Sequence, residues 1–181
     1  MRRCAVLGAI ALLLAGPPAR LSADPLPSEY DVKATLIVNF MKFVEWPDDT
    51  SLVAPGPLVL AVVGNDPFGA ALEHATAGQS INGRPVQVRR WRSARELGPC
   101  HVLFIAVSDA DEARRILGEV RGAAVLTIGD RPSFVSEGGM IGFFMHDSRI
   151  RFDISPASAE RAHLRISSRL LAVAHVVQPA R

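Results

Sequence analysis

Apolar residues recur at helical spacing in the segment that starts at Asp31. They are Val32, Leu36, Ile37, Phe40, Phe43 and Val44, a spacing typical of one face of a helix. Pro47 disfavours helical backbone at the residue before it, so the helix is predicted to end before Trp46. The stripe is long enough to place Phe40 in the core, whereas Phe43 and Trp46 belong either to the core or to a contact surface.

Continuous apolar runs of strand length follow at residues 57–64, 102–107 and 123–129. Runs without polar alternation are typical of parallel strands that are covered on both faces. Another strand, with Val86 and Val88 on one face, alternates apolar and polar residues after an Asn82-Gly83 turn. The chain therefore contains four predicted strands before its last third.

Helical segments separate the apolar runs. After the first run, Asn65 and Asp66 are candidate N-caps, and Pro67 suits the first position of a helix. After the second run, Ser108 is predicted to cap a helix that extends to about Val120. Acidic residues in its first turn suit the positive end of the helix dipole.

The last third of the chain combines a hairpin with a predicted helix. Residues 138–154 alternate around a polar turn at 146–148, which predicts an antiparallel hairpin. Ser155 and Pro156 then begin a predicted helix over residues 157–177, whose apolar stripe contains Ala159, Ala162, Ile166, Leu170 and Val173. Together the elements predict an α/β fold, a three-layer sandwich with a mostly parallel central sheet, a C-terminal antiparallel hairpin and a packed C-terminal helix.

The first 23 residues have the pattern of a secretory signal peptide. Two arginines precede an uncharged apolar run from Ala5 to Gly16, and a small-residue cleavage site ends at Ala23. The run is shorter than the roughly 20 residues that a membrane-spanning helix needs. We therefore expect cleavage near Ala23 and export of residues 24–181 as one domain. A short anchor that is never cleaved is the alternative.

Removal of this segment changes the charge and cysteine content. The full chain has a formal net charge of +2, and loss of Arg2, Arg3 and Arg20 leaves −1. Such a balance argues against a nucleic-acid partner. Cys100 becomes the only cysteine, which excludes an internal disulfide. Because it adjoins an apolar strand, it is predicted to be a small buried hydrophobe, with an intermolecular disulfide as the alternative.

Catalytic and cofactor motifs are absent from the sequence. The turn from Gly64 to Gly69 matches neither the dinucleotide fingerprint nor the lysine-containing phosphate loop. The chain has no GxSxG nucleophile elbow, and its five histidines lack the spacing of a zinc site. We expect no enzyme activity, no metal and no cofactor. Asn65, Asp66 and Arg90 are candidates for an alternative small-ligand site.

Arginines cluster around Trp91, at positions 84, 89, 90, 92 and 95. Guanidinium groups beside an indole can hold a phosphate, a carboxylate or an acidic protein face. Alternatively, the charges protect a solvated edge strand from pairing with another chain. Arg89 and Trp91, together with Phe43 and Trp46, are our candidate partner-binding residues.

Three blocks of the sequence resemble the YfiR family of small exported proteins. They are EYDVKATLIVNFMKFVEWP (29–47), GGMIGFFMHDSRIRFDIS (138–155) and RAHLRISSRLLAVAHVV (161–177). The resemblance implies a non-catalytic periplasmic regulator that binds the periplasmic sensor domain of an inner-membrane diguanylate cyclase. Such binding would lower cyclic di-GMP signalling and biofilm formation. Some members carry redox-active disulfides, which Cys100 alone does not reproduce. The resemblance does not decide whether the protein forms a homodimer. The alternative function, from a different class, is that of a periplasmic small-ligand carrier or sensor.

Overall fold

The computed structural model describes residues 26–47 and 56–177. Its helices are α1 (Glu29–Lys42), α2 (Ala71–Thr76), α3 (Ala110–Glu119), α4 (Pro156–Arg161) and α5 (Ser168–Leu171). Its strands are β1 (Val44–Glu45), β2 (Leu58–Gly64), β3 (Ser80–Ile81), β4 (Arg84–Trp91), β5 (Val102–Ala106), β6 (Leu126–Gly129), β7 (Ile141–His146), β8 (Arg149–Ile154), β9 (Arg165–Ile166) and β10 (His175–Val176). The predicted signal peptide lies outside the described residues.

Eight strands form one sheet in the order β10-β8-β7-β6-β5-β2-β4-β3. Strands β4, β2, β5, β6 and β7 are parallel, while β8 pairs antiparallel with β7 and β3 pairs antiparallel with β4. The β7–β8 hairpin turns through Asp147 and Ser148, both at positive φ, as a tight two-residue turn requires. The predicted mostly parallel sheet with an antiparallel hairpin is thereby confirmed.

The sheet buries side chains on both faces, as strands covered by helices do. Leu60 and Val62 of β2 lie in a cluster under α1 and α2, which we call the α1 face. Ala61 and Val63 lie in a second cluster under α3, which we call the α3 face. Alternation along one strand therefore supplies both clusters, and the three-layer arrangement is confirmed.

Helix α1 covers the hairpin end of the α1 face. Phe40 is 2% exposed and lies 5.7 Å from Phe143 between ring centroids, which confirms its predicted place in the core. The helix begins earlier than predicted because Ser28 and Asp31 form a reciprocal capping box. It also ends earlier, at Lys42, because the following residues leave the helix to form β1.

The prediction of one continuous C-terminal helix over residues 157–177 is wrong, because the structure has four separate elements there. Helix α4 begins at Pro156 with Ser155 as its cap, as predicted, but it ends after Arg161. His163 adopts φ 58°, and the Leu164 N–H donates to the Ala159 carbonyl at 2.9 Å. This left-handed residue closes the helix in a Schellman motif and redirects the chain into β9.

Two predicted helix starts are displaced. Asp66 accepts a hydrogen bond from the Phe68 N–H at 2.8 Å and forms a local turn, so α2 begins only at Ala71, without a side-chain cap. Asp109, rather than Ser108, caps α3 by accepting from the Glu112 N–H at 2.8 Å. In both places, an aspartate side chain that hydrogen-bonds to a nearby backbone N–H sets the conformation where the helix begins.

Candidate functional site

The first and last of the resembling blocks contact each other directly. Val44 and Glu45 of β1 pair antiparallel with Ile166 and Arg165 of β9. The pairing is extended by the Ser167 N–H, which donates to the Phe43 carbonyl at 2.9 Å. The end of α1 and the C-terminal segment therefore form one structural unit, in a small sheet separate from the main one.

Phe43 and Trp46 pack beside this unit. Both are half-buried against the cluster of the α1 face. The Trp46 indole lies edge-on to the His101 ring, with centroids 6.3 Å apart. Its Nε1–H is buried and has no hydrogen-bond acceptor among the described residues. Apolar packing, rather than a polar contact, therefore holds the Trp46 ring.

Arg89 and Trp91 lie on the other side of the sheet. Trp91 is half-buried and packs against the cluster of the α3 face. Arg89 is exposed, and its guanidinium lies 3.4 Å from the Gln87 amide oxygen. The structure therefore does not bring the four predicted partner-binding residues together in one surface, and their role stays a prediction.

The predicted ligand residues form part of a salt-bridge network. The Arg90 guanidinium contacts Asp66 at 2.5 Å, Glu73 at 2.5 Å and the Gly69 carbonyl at 2.6 Å. Its hydrogen bond lowers the pKa of Glu73, and the bonds to Glu73 and Asp66 raise the pKa of Arg90. Asn65 is exposed next to this network. Arg90 thus fastens β4 to α2, and a ligand-binding role for these residues stays a prediction.

A buried ion pair was missed by the sequence analysis. The Lys33 ammonium, with a side chain only 5% exposed, lies 2.7 Å from Asp130 and 2.6 Å from Glu29. Tyr30 also donates to Asp130, at 3.0 Å. Burial alone would lower the pKa of Lys33, but the hydrogen bonds to Asp130 and Glu29 outweigh it and raise that pKa. The pair ties α1 to the end of β6.

An exposed apolar groove was also missed. It lies between the β7–β8 hairpin and the segment that enters β10, and has a volume of about 520 Å³. We call it the hairpin groove, and its lining residues are Phe144, His146, Arg151, Phe152, Val173, Ala174 and His175. Phe144 is 38% exposed and Val173 is 69% exposed. The run Phe143-Phe144-Met145 is a signal that could have found it, because consecutive strand residues cannot all face one core.

One arginine lines the hairpin groove, and two acidic residues lie next to its lining residues. The Asp153 carboxylate is 2.7 Å from His175, and the Asp147 carboxylate is 3.4 Å from His146. Arg151 lines the groove itself. Exposed apolar side chains with an arginine at the rim are a composition typical of protein interfaces.

Cys100 is a buried free cysteine. Cys100 is 3% exposed, as predicted for a buried hydrophobe, and burial raises the pKa of its thiol to about 12. Within residues 26–47 and 56–177, no group of three or more His, Cys, Asp or Glu side chains is arranged to hold a metal ion. No helix in the same ranges is long and apolar enough to cross a membrane.

The sequence matches a known protein family, and the fold is similar to that of a solved structure. The family model described as YfiR/HmsC-like matches residues 30–175, which include α1 from its second residue, the strands β1 to β9 and the first residue of β10. A solved structure of a conserved domain protein from Vibrio cholerae O1 biovar eltor is similar, with a TM-score of 0.51 and 14% sequence identity. The alignment covers 82% of this chain and 60% of that chain, so this chain spans less than two thirds of its structural relative. At this identity, the likeness shows a shared fold.

Proposed function

The chain belongs to the YfiR/HmsC-like family, and from this premise we propose that it is a periplasmic regulatory protein that restrains a membrane diguanylate cyclase. The family match over residues 30–175 is the observation that carries the proposal. It supports a role in cyclic di-GMP signalling, and with it in biofilm formation. The proposed partner is the periplasmic sensor domain of the cyclase.

The proposed regulation acts through binding. A bound regulator shifts its partner between two conformations only by the difference in its affinity for them. Moving an equilibrium from 1:99 to 99:1 requires a difference of about 10⁴-fold in affinity. The regulator therefore needs a surface with strong anchors that fit one conformation of the cyclase and not the other.

We assign that surface to the hairpin groove. Phe144 and Val173 offer apolar area that is already exposed, and Arg151 supplies a positive rim. A complementary partner carries one or two apolar side chains to fill the groove and a carboxylate to meet the guanidinium. Phe43, Trp46 and Trp91 have less free surface to offer, because they pack against the hydrophobic clusters. Arg89 is exposed but supplies no apolar anchor.

Crosslinking to native membranes tests this proposal. The exported chain should capture a membrane protein that carries a diguanylate cyclase domain. Phe144→Ser should lower the yield of that product at least about fivefold, since an interface aromatic anchor typically contributes more than 1 kcal/mol. Val32→Ser is the matched control, because Val32 is exposed to 37%, close to the 38% of Phe144, but lies on α1.

Two results of the crosslinking experiment would contradict parts of this proposal. Capture of proteins without a cyclase domain would overturn the regulatory role. Equal capture by Phe144→Ser, Val32→Ser and the unsubstituted chain would overturn the assignment to the groove, while leaving the cyclase as partner. Deletion of the gene should in addition raise cellular cyclic di-GMP.

A further inference from the structure

A second cavity lies at the amino ends of β6 and β7. It has a volume of about 380 Å³ and opens between the end of α3 and α4. Leu117 and Val120 of α3 supply one apolar wall, and Met140 supplies another. This volume is within the range of pockets that hold small organic molecules.

The cavity has an excess of positive charge. Three arginines line it, Arg114, Arg121 and Arg161, against one acidic residue, Glu137. Glu137 is already paired with Arg131, and Arg114 is paired with Asp111. Arg121 and Arg161 form no ion pair with any residue that the structure describes, so their two positive charges are not neutralised by neighbouring carboxylates.

Two buried hydroxyl groups line the cavity beside the arginines. Ser158 is 4% exposed, and its hydroxyl oxygen accepts from the Arg161 guanidinium at 2.9 Å. Thr127 is 2% exposed, and its hydroxyl oxygen accepts from the Met140 N–H at 3.1 Å. Each hydroxyl therefore keeps its own proton available to donate. Donors and unneutralised guanidinium groups together favour a ligand with anionic oxygens.

We propose that this cavity binds a small organic anion, a carboxylate or a phosphate ester, between Arg121 and Arg161. The anionic oxygens contact the two guanidinium groups, and the apolar part of the ligand packs on Leu117, Val120 and Met140. The Arg161–Ser158 hydrogen bond holds one guanidinium in place before the ligand arrives, which lowers the entropy cost of binding. The site goes beyond the proposed regulatory function and does not depend on it.

Binding of succinate, glycerol 3-phosphate and inorganic phosphate to the full chain tests the site by calorimetry at matched ionic strength. At least one probe should bind with a Kd below about 1 mM. Arg121→Gln and Arg161→Gln should each weaken that binding at least tenfold, the loss expected for one charge-assisted contact. A preference among the three probes distinguishes a carboxylate from a phosphate ester and from free phosphate.

Arg115→Gln is the matched control, since Arg115 is exposed on α3 outside the cavity and pairs with Glu112. It should leave the Kd unchanged. The proposal would be overturned if no probe bound at a concentration ten times the expected upper limit of the Kd. Equal weakening of binding by Arg121→Gln, Arg161→Gln and Arg115→Gln would also overturn it. Arg161→Lys provides a second check against misfolding, because it keeps the charge and should retain part of the affinity.

Discussion

Val44 lies opposite Ile166 in an antiparallel pair that joins the end of α1 to the C-terminal segment of the chain. Both residues belong to blocks by which the sequence resembles its family. Their pairing gives a physical reason for the blocks to occur together, because each supplies the hydrogen-bonding partner of the other. The two blocks therefore contribute a backbone contact within the fold.

Trp46 should contribute to stability through its packing against the α1 face. Trp46→Ala should lower the free energy of unfolding by about 2 kcal/mol, below the range for a fully buried tryptophan because the ring is only half-buried. Trp46→Phe should cost less than about 1 kcal/mol, since it also removes a buried N–H without an acceptor. Urea unfolding measures both. An unchanged stability in Trp46→Ala would instead assign the ring to a contact surface.

Asp130→Asn should destabilise the protein by about 2 kcal/mol, because it removes one of the two carboxylate charges that compensate the buried Lys33 ammonium and leaves only that of Glu29. Lys33→Met combined with Asp130→Asn should cost less than the sum of the two single changes by about 1 kcal/mol. Asp111→Asn is the control, because its pair with Arg114 is exposed and should contribute less than about 0.5 kcal/mol. Strict additivity in the double variant would contradict a direct coupling.

The Arg90–Glu73 contact should make stability depend on pH in the acid range. Because the pKa of Glu73 is lowered in the folded state, its contribution is present above the unfolded value, about 4.3, and is lost as pH falls through the folded value. Glu73→Gln should therefore have a lower Tm than the unsubstituted chain at pH 7. The difference should shrink as pH falls through the folded pKa of Glu73. A difference that stays constant from pH 7 into the acid range would argue against the ion pair.

The thiol of Cys100 should be inert in the folded protein. Its pKa is raised to about 12, so its contribution to stability is present below the unfolded value, about 8.5, and is lost as pH rises towards 12. At pH 8, labelling with a thiol reagent should be at least about 100-fold slower in the native state than in denaturant. Cys100→Ser is the control, because it removes the only cysteine of residues 24–181 and should abolish the labelling. A disulfide-linked dimer on a non-reducing gel would favour the alternative prediction.

The sequence predicts the central sheet well because its signal is local. Uninterrupted apolar runs identify β2, β5 and β6, and alternation around a polar turn identifies the β7–β8 hairpin. The break in the C-terminal helix is different. The apolar stripe continues across His163 at helical spacing, and only the pairing of Ile166 with Val44 shows why the chain turns there. Tertiary contacts thus override a local periodicity.

The candidate sites were harder to predict for the same reason. Lys33 and Asp130 are far apart in the sequence, and neither forms a recognisable motif with its neighbours. Val173 and Phe144 line the same groove only because the chain turns before Val173, and the single predicted helix concealed that arrangement. Arg161 and Arg121 are also brought to one cavity only by the fold. The arginines that do cluster in sequence, around Trp91, divide between the two faces of the sheet.

The β1–β9 pair also determines when the fold can be completed. Synthesis proceeds from the N-terminus, so β1 and the apolar face of α1 exist long before their C-terminal partners do. Until β9 and β10 arrive, the small sheet cannot form and the edge beside β8 stays open, which exposes the nascent chain to aggregation. Deletion of β9 and β10 should therefore lower the yield of folded protein by more than their few contacts suggest.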